Sequence, residues 1–200
     1  MNKKIAIIGA GGHGKVVGEI AYLNNFKTIN FFDDDRNLMK KNFPFKIKGS
    51  LNDLKNNLKY YDSFFIAIGD NKIRFNKANW LNKLNVKIIN LIHPKSTFSK
   101  YTKLGKGICA MANSVVNPGT YIGDGVIINT SASIDHDCKI DKYVHIAPNA
   151  TLSGNVLVGQ NTLVGTGSSI HPGTKIGKNV KIGVGSNIFK NLIDNSIFRN

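Results

Sequence analysis

The sequence predicts two folds in tandem: a small parallel α/β sheet of half-Rossmann type over residues 1–95, and a parallel β-helix of hexapeptide repeats over residues 96–200. Three observations carry this prediction. Strand-like and helix-like segments alternate as far as His93-Pro94. A glycine-rich turn, "IGAGGHGKVV", stands between the first strand and the first helix. From Val116 onward every sixth residue is aliphatic, through Ile122, Ile128, Ile134, Ile140, Ile146, Leu152, Val158, Val164, Ile170, Ile176 and Ile182 to Ile188.

The elements follow in order. "KKIAIIG" is a buried strand, "KVVGEIAYLNN" a helix, and "KTINFFDDD" a second strand ending in acids. "SLNDLKNNLKYY" is helical with Ser50 or Asn52 as its cap. "SFFIAIGDN" is a third strand, "KIRFNKANWLNKLN" a helix and "VKIINLIHP" a closing strand. Such alternation builds a parallel sheet flanked by helices. In the second half, the position four after each aliphatic residue is small, from Thr120 and Val126 through Cys138 to Ser186. The position directly after the aliphatic is often Gly, Asn or Asp, residues that tolerate positive φ at a turn. A short strand therefore turns a corner every six residues, an aliphatic side chain fills the prism, and a small residue lets the next side close. Leu104 and Phe98 extend the pattern upstream. Three hexads make one coil, so residues 98–190 hold about five coils.

Composition narrows the function. Hydrophobic residues make up 42% and charged residues 20%, as in an ordinary globular chain. No apolar run approaches the ~18 residues of a membrane span. "MNKKIAIIGAGG" superficially resembles a signal peptide, but its apolar part is too short and a glycine turn interrupts it, so a strand and a cytoplasmic location are expected. The two cysteines form neither a zinc pattern nor a disulfide framework. A net charge of +15, concentrated before the repeats, suits a nucleotide diphosphate or serves solubility. No arginine-rich tract or basic helix interleaved with aromatics is present, so nucleic acid is not the expected partner.

Gly9, Gly11 and Gly14 form the G-x-G-x-x-G spacing, and Asp33 to Asp35 close the next strand where a ribose-binding acid belongs. The fingerprint alone suggests a dinucleotide. About 95 residues precede the repeats, too few for two mononucleotide-binding halves, so one nucleotide diphosphate fits better. In the repeats His136, flanked by Asp135 and Asp137, stands two after the aliphatic Ile134, which turns its ring away from the core. A carboxylate on Nδ1–H leaves the other ring nitrogen to act as a base. Cys138 fills a small slot and is expected to pack rather than react. His145 lies half a coil from His136, and His171 occupies a corner before Pro172-Gly173. No His-x4-His occurs, so no metal is expected.

Taken in order, "IGAGGHGKVV", "FFDDD", "IAIGDNKIR", "LIHPKS" and a solenoid bearing "IDHDCKI" and "HIAPNATLSGNV" resemble the sugar acetyltransferases grouped with bacterial sialic acid O-acetyltransferases. Within that group the chain is most similar to N-acetyltransferases of UDP-4-amino-sugars, over residues 3 to about 190. The resemblance implies a left-handed β-helix, acetyl-CoA as co-substrate, a UDP-linked amino-sugar as acceptor in bacterial glycan biosynthesis, and a homotrimer with sites between subunits. It implies His136 as general base and Asp137 as its partner, a position held by Glu or Asp in the family. The nucleotide-sugar is then expected at Gly11, Gly12, His13, Asp33, Asp34 and the loop 69–74 with Gly69, Asn71 and Arg74. Acetyl-CoA is expected along His145, Gly154, Thr166, Gly183 and Val184. Relatives usually finish with a Gly-x-Pro-Ala loop after the last coil, whereas this sequence reads "DNSIFRN" there, through truncation or a different tail. An O-acetyltransferase would use the same base on a hydroxyl. A nicotinamide oxidoreductase and a non-catalytic nucleotide-sugar-binding scaffold are the more distant readings.

Overall fold

A computed structural model describes residues 3–35, 37 and 44–199, and the chain divides into two compact units, Met1–Pro94 and Lys95–Asn200. In the first unit, strands β1 (Lys4–Ile8), β2 (Thr28–Phe32), β3 (Lys46–Gly49) and β4 (Ser63–Ile66) form a parallel sheet of order β3-β2-β1-β4. Helices α1 (Gly12–Leu23), α2 (Leu51–Asn56) and α3 (Asn71–Lys83) connect or follow them. The unbroken apolar run of β1 reflects its central place: Ile5, Ala6 and Ile7 are fully buried. β3, not expected from the sequence, is an edge strand whose Lys46 and Lys48 face solvent, which discourages pairing with another chain.

Local signals set the helix starts. Ser50, one of the two expected caps, accepts from the Asp53 N–H at 3.3 Å while the Asp53 carboxylate accepts from the Ser50 N–H at 2.8 Å, a closed capping box. Asp70 caps α3 by accepting from the Ile73 N–H at 2.9 Å. The expected closing strand "VKIINLIHP" is a correction: it shrinks to one bridge, Phe64 to Ile88, and a short strand at Leu91–Ile92. The Asn24 side chain, at the C-cap of α1, donates to the Ile92 carbonyl at 2.9 Å.

The second unit is a parallel β-helix. Short strands ending on the aliphatic of each hexad pair with the strand one coil further along, as Tyr121–Ile122 pairs with Lys139–Ile140 and Ser133–Ile134 with Thr151–Leu152. The aliphatic plugs from Val116 to Ile188 are at most 4% exposed. The small slots are as deeply buried, and where they hold a hydroxyl it donates to a corner carbonyl: Thr120 to Asp135, Thr162 to Gly177 and Ser168 to Gly183, each at 2.8 Å. Beyond Ile188 the period breaks: Lys181 pairs with Ile197 and Ile176 with Leu192, across a shorter winding than any before it.

The turn chemistry differs from the sequence reading. Positive φ falls three residues after each plug, at Asn113, Gly119, Gly125, Ser131, Asp137, Tyr143 and onward to Gly185, not directly after it. Where glycine stands directly after the plug, it does so for another reason. A Cβ on Gly123 would lie 2.8 Å from the Lys142 nitrogen, and one on Gly159 2.7 Å from the Gly177 carbonyl carbon, so adjacent coils approach too closely there. Among the described residues, no helix is long and apolar enough to cross a membrane.

Candidate active site

The C-terminal ends of β1, β2 and β4 open onto a cavity of about 420 Å³, where open parallel sheets characteristically receive ligands. Gly11, Gly12, His13, Asp33, Asp34 and Gly69 line it, brought together from three loops. Phe32, Leu51, Ile73 and Lys77 line it too and were missed by sequence reasoning. The glycines divide by role. Gly9, at φ 103°, lets β1 pass the Ala67 carbonyl, and Gly14 seats α1 against the Gly9 carbonyl. Gly11 and Gly12 have open space where a side chain would stand, at the N-terminus of α1, whose first N–H groups favour an anion.

The acids anchor this rim. Asp33 accepts from the Ala10 N–H at 2.8 Å and the Asp35 N–H at 3.0 Å, tying the glycine turn to the end of β2. Asp34 accepts from the Leu51 N–H at 3.0 Å and pairs with Lys77 at 3.4 Å. Ionised carboxylates keep further lone pairs for ligand hydroxyls. Asn71 and Arg74 stand behind the cavity rather than in its lining. The Arg74 guanidinium, 2% exposed, donates to the Ile68 and Gly69 carbonyls and to Asn71 Oδ1, each at 2.9 Å, and so shapes the loop that carries Gly69.

On the β-helix, His136 and Asp137 project from one edge of the prism, with side chains 59% and 67% exposed. His136 Nδ1 lies 2.9 Å from Asp137 Oδ2, so the shorter of the two family acids reaches its partner. Asp135 Oδ1 accepts from the His136 backbone N–H and from Asn117 Nδ2, both at 2.8 Å. The bond to Asp137, and then the negative charge of Asp135, hold the His136 pKa above the ordinary histidine value. The Asn117 amide, followed by the His136 N–H, holds Asp135 below the usual carboxylate range. An ionised carboxylate accepts only, so Nδ1 carries the proton and Nε2 keeps the lone pair of the neutral ring. Cys138 donates to the Ser153 carbonyl at 3.2 Å, in the slot that Thr120 and Thr162 occupy elsewhere, and burial pushes its thiol pKa up. A thiol so placed is packing, not a nucleophile.

The residues expected to meet acetyl-CoA divide between two edges and a face. Gly154 stacks on the edge of His136, where Asn155 N–H donates to the His136 carbonyl and Asp137 N–H to that of Pro118. Thr166, Gly183 and Val184 belong to another edge, on which Gly185 N–H donates to the Thr166 carbonyl and Gly167 N–H to that of Pro148. His145 begins the strand His145–Ile146 on a flat face, its Nε2 3.1 Å from the Asn129 amide nitrogen. One chain therefore does not bring His136 together with Thr166, Gly183 and Val184. Among the described residues, no group of three His, Cys, Asp or Glu side chains is placed to hold a metal ion.

An α/β unit with a nucleotide-sized cavity, joined to a hexapeptide β-helix with an outward His–Asp pair, defines a class of two-part acyltransferases. Residues 4–81 match the PglD N-terminal domain, and residues 120–154 and 155–190 match the bacterial transferase hexapeptide repeat. The acetyltransferase domain of PglB from Neisseria gonorrhoeae FA1090, solved with acetyl coenzyme A, is 38% identical over 98% of this chain and 96% of that one, at a TM-score of 0.91. PerB from Caulobacter crescentus, solved with CoA and GDP-perosamine, is 31% identical over 98% of this chain and 94% of that one, at a TM-score of 0.92. A curated relative, UDP-N-acetylbacillosamine N-acetyltransferase of Bacillus subtilis (strain 168), is 35% identical over 119 residues, and the match spans about half its length, 52%. The chain belongs to the family of hexapeptide-repeat sugar acetyltransferases with a PglD-type N-terminal domain. Its β-helix has that family's left-handed sense.

Proposed function

We propose that the chain is an acetyl-CoA-dependent N-acetyltransferase acting on the amino group of a nucleotide-linked 4-amino-sugar in bacterial glycan biosynthesis, in the cytoplasm. The observation that carries this reading is the outward imidazole of His136, held on Nδ1 by Asp137, in a chain whose relatives, matched along nearly their whole length, were solved with acetyl-CoA or with CoA and GDP-perosamine. The cavity at Gly11, Gly12 and Asp34 receives the nucleotide, with the diphosphate at the N-terminus of α1. The sugar amine attacks the thioester carbonyl while His136 Nε2 removes its proton. The C–N bond forms, the C–S bond breaks, and the sulfur leaves as CoA thiol with the proton returned from the imidazolium. No covalent enzyme intermediate is required, and holding both substrates in place supplies much of the acceleration.

The separation of His136 from the edge carrying Thr166 and Val184 within one chain supports a site completed between neighbouring subunits, in the homotrimer that the family resemblance implies. The test is release of free thiol from acetyl-CoA across a panel of UDP- and GDP-linked 4-amino-sugars, with mass analysis of the product. Thiol release with a mass gain of one acetyl group on the sugar is the expected result. No release with any amino-sugar nucleotide, despite nucleotide binding, would leave a binding scaffold instead.

A further inference from the structure

Two glycines enclose the His136–Asp137 pair, one from each adjoining coil. Gly154, in the coil that follows, lies against the imidazole: a Cβ there would stand 2.6 Å from Nε2 and 2.7 Å from Cε1. Gly119, in the coil that precedes, lies against the carboxylate, and its Cβ would overlap Asp137 Oδ1. At Gly123, Gly159 and Gly165 the restriction has a different origin, since side chains there would meet the backbone of the next coil, and at Gly125 the obstacle is the Tyr143 ring. At 119 and 154 the backbone leaves room, and the nearest obstacle is the movable end of the pair itself. The fold therefore accepts a small side chain at either place, and the pair does not.

We infer that Gly119 and Gly154 are positioning residues, whose missing side chains let the His136 ring and the Asp137 carboxylate lie flat across the stacked coils with Nδ1 and Oδ2 in bonding distance. This rests on the acetyltransferase reading for its catalytic meaning, but the geometry stands without substrate. A methyl at 154 turns the ring about χ1 and χ2, away from Asp137. A side chain at 119 lifts the carboxylate from Nδ1. Either change breaks the 2.9 Å contact while leaving plugs and slots untouched.

The test uses the full chain without substrates. The His136 C2–H resonance is titrated by NMR in wild type, Gly154→Ala and Gly119→Asn. Asn is chosen at 119 because φ there is 77° and Asn tolerates the left-handed region. Gly173→Asn is the control: it stands on the same edge at φ 70° with open space around it. The expected result is a His136 midpoint lowered in Gly154→Ala and Gly119→Asn and unchanged in Gly173→Asn, with all chains melting cooperatively. In turnover assays the two former variants lose kcat, within the ~10²–10⁴-fold that a general base contributes, with little change in KM. A wild-type His136 titration in both, or a raised KM for acetyl-CoA with that titration intact, overturns the inference and leaves Gly154 a contact for the co-substrate. Should one variant fail to fold, the other carries the test. Absence of turnover in the wild type would sink the acetyltransferase reading, while the titration would still decide the positioning role.

Discussion

His136 holds its Nδ1 proton towards Asp137, and the base proposed at Nε2 can work only while the ring is neutral. Its pKa is raised, first by the bond to Asp137, so activity is expected to fall as pH drops through a midpoint above the ordinary histidine value of 6.5, read from the pH profile of kcat. The linked stability has the opposite sign. A raised folded pKa contributes stability that is present below the unfolded value and lost as pH rises through the folded one. His136→Ala is expected to lower kcat by about 10²–10⁴-fold with modest change in KM, measured by thiol release. Full activity in that variant would remove His136 from the chemistry. Asp137→Asn removes the carboxylate bond that chiefly raises the imidazole, and the acid limb of the kcat profile is then expected at lower pH. The outward position of His136 was legible in the sequence because the repeat gives each residue a phase, and two after a plug points away from the core. The burial of Arg74 was not legible, since carbonyls of its own loop draw the guanidinium inward and no pattern of residue types announces that.

At the level of elements, the plugs and slots followed from the period of six, because burial in so narrow a prism leaves no choice but an aliphatic or a small side chain. Ile146→Ala is expected to destabilise by about 2–5 kcal/mol, read from denaturant unfolding, as the neighbouring plugs cannot close the gap. The conformation of the corners did not follow. Glycine, asparagine and aspartate, frequent directly after the plugs, suggested positive φ, yet close approach of the coils selects the glycines at Gly123, Gly159 and Gly165, and the left-handed residue comes two later. One residue type answered two constraints, and composition alone does not separate them. In the α/β unit, β3 escaped notice because "KIKG" is too short for its alternation to register. Asp70→Ala removes the cap of α3 and is expected to cost about 1 kcal/mol. It also frees the loop beside Gly69, so KM for the nucleotide-sugar rises while KM for acetyl-CoA stays.

For the whole molecule, the separation of His136 from Thr166 and Val184 onto different edges gives a test of assembly. A subunit carrying His136→Ala and one carrying Val184→Asp are each expected to be inactive alone. Unfolded together and refolded as mixed oligomers, they should regain activity, because some interfaces then combine an intact edge from each. Mixtures that stay inactive would place the entire site within one subunit. Lys77, which faces Asp34 from far along the chain, shows what long-range geometry adds to reading the sequence. The matched register of the coils carries a last consequence, for how such a chain can change length. Excising one residue from the middle of the solenoid would rotate every later plug out of phase and expose the interior. Removing a full winding would instead leave a shorter column with its seams still matched, so natural variation in this half should come in whole windings or in bulges extruded at the edges.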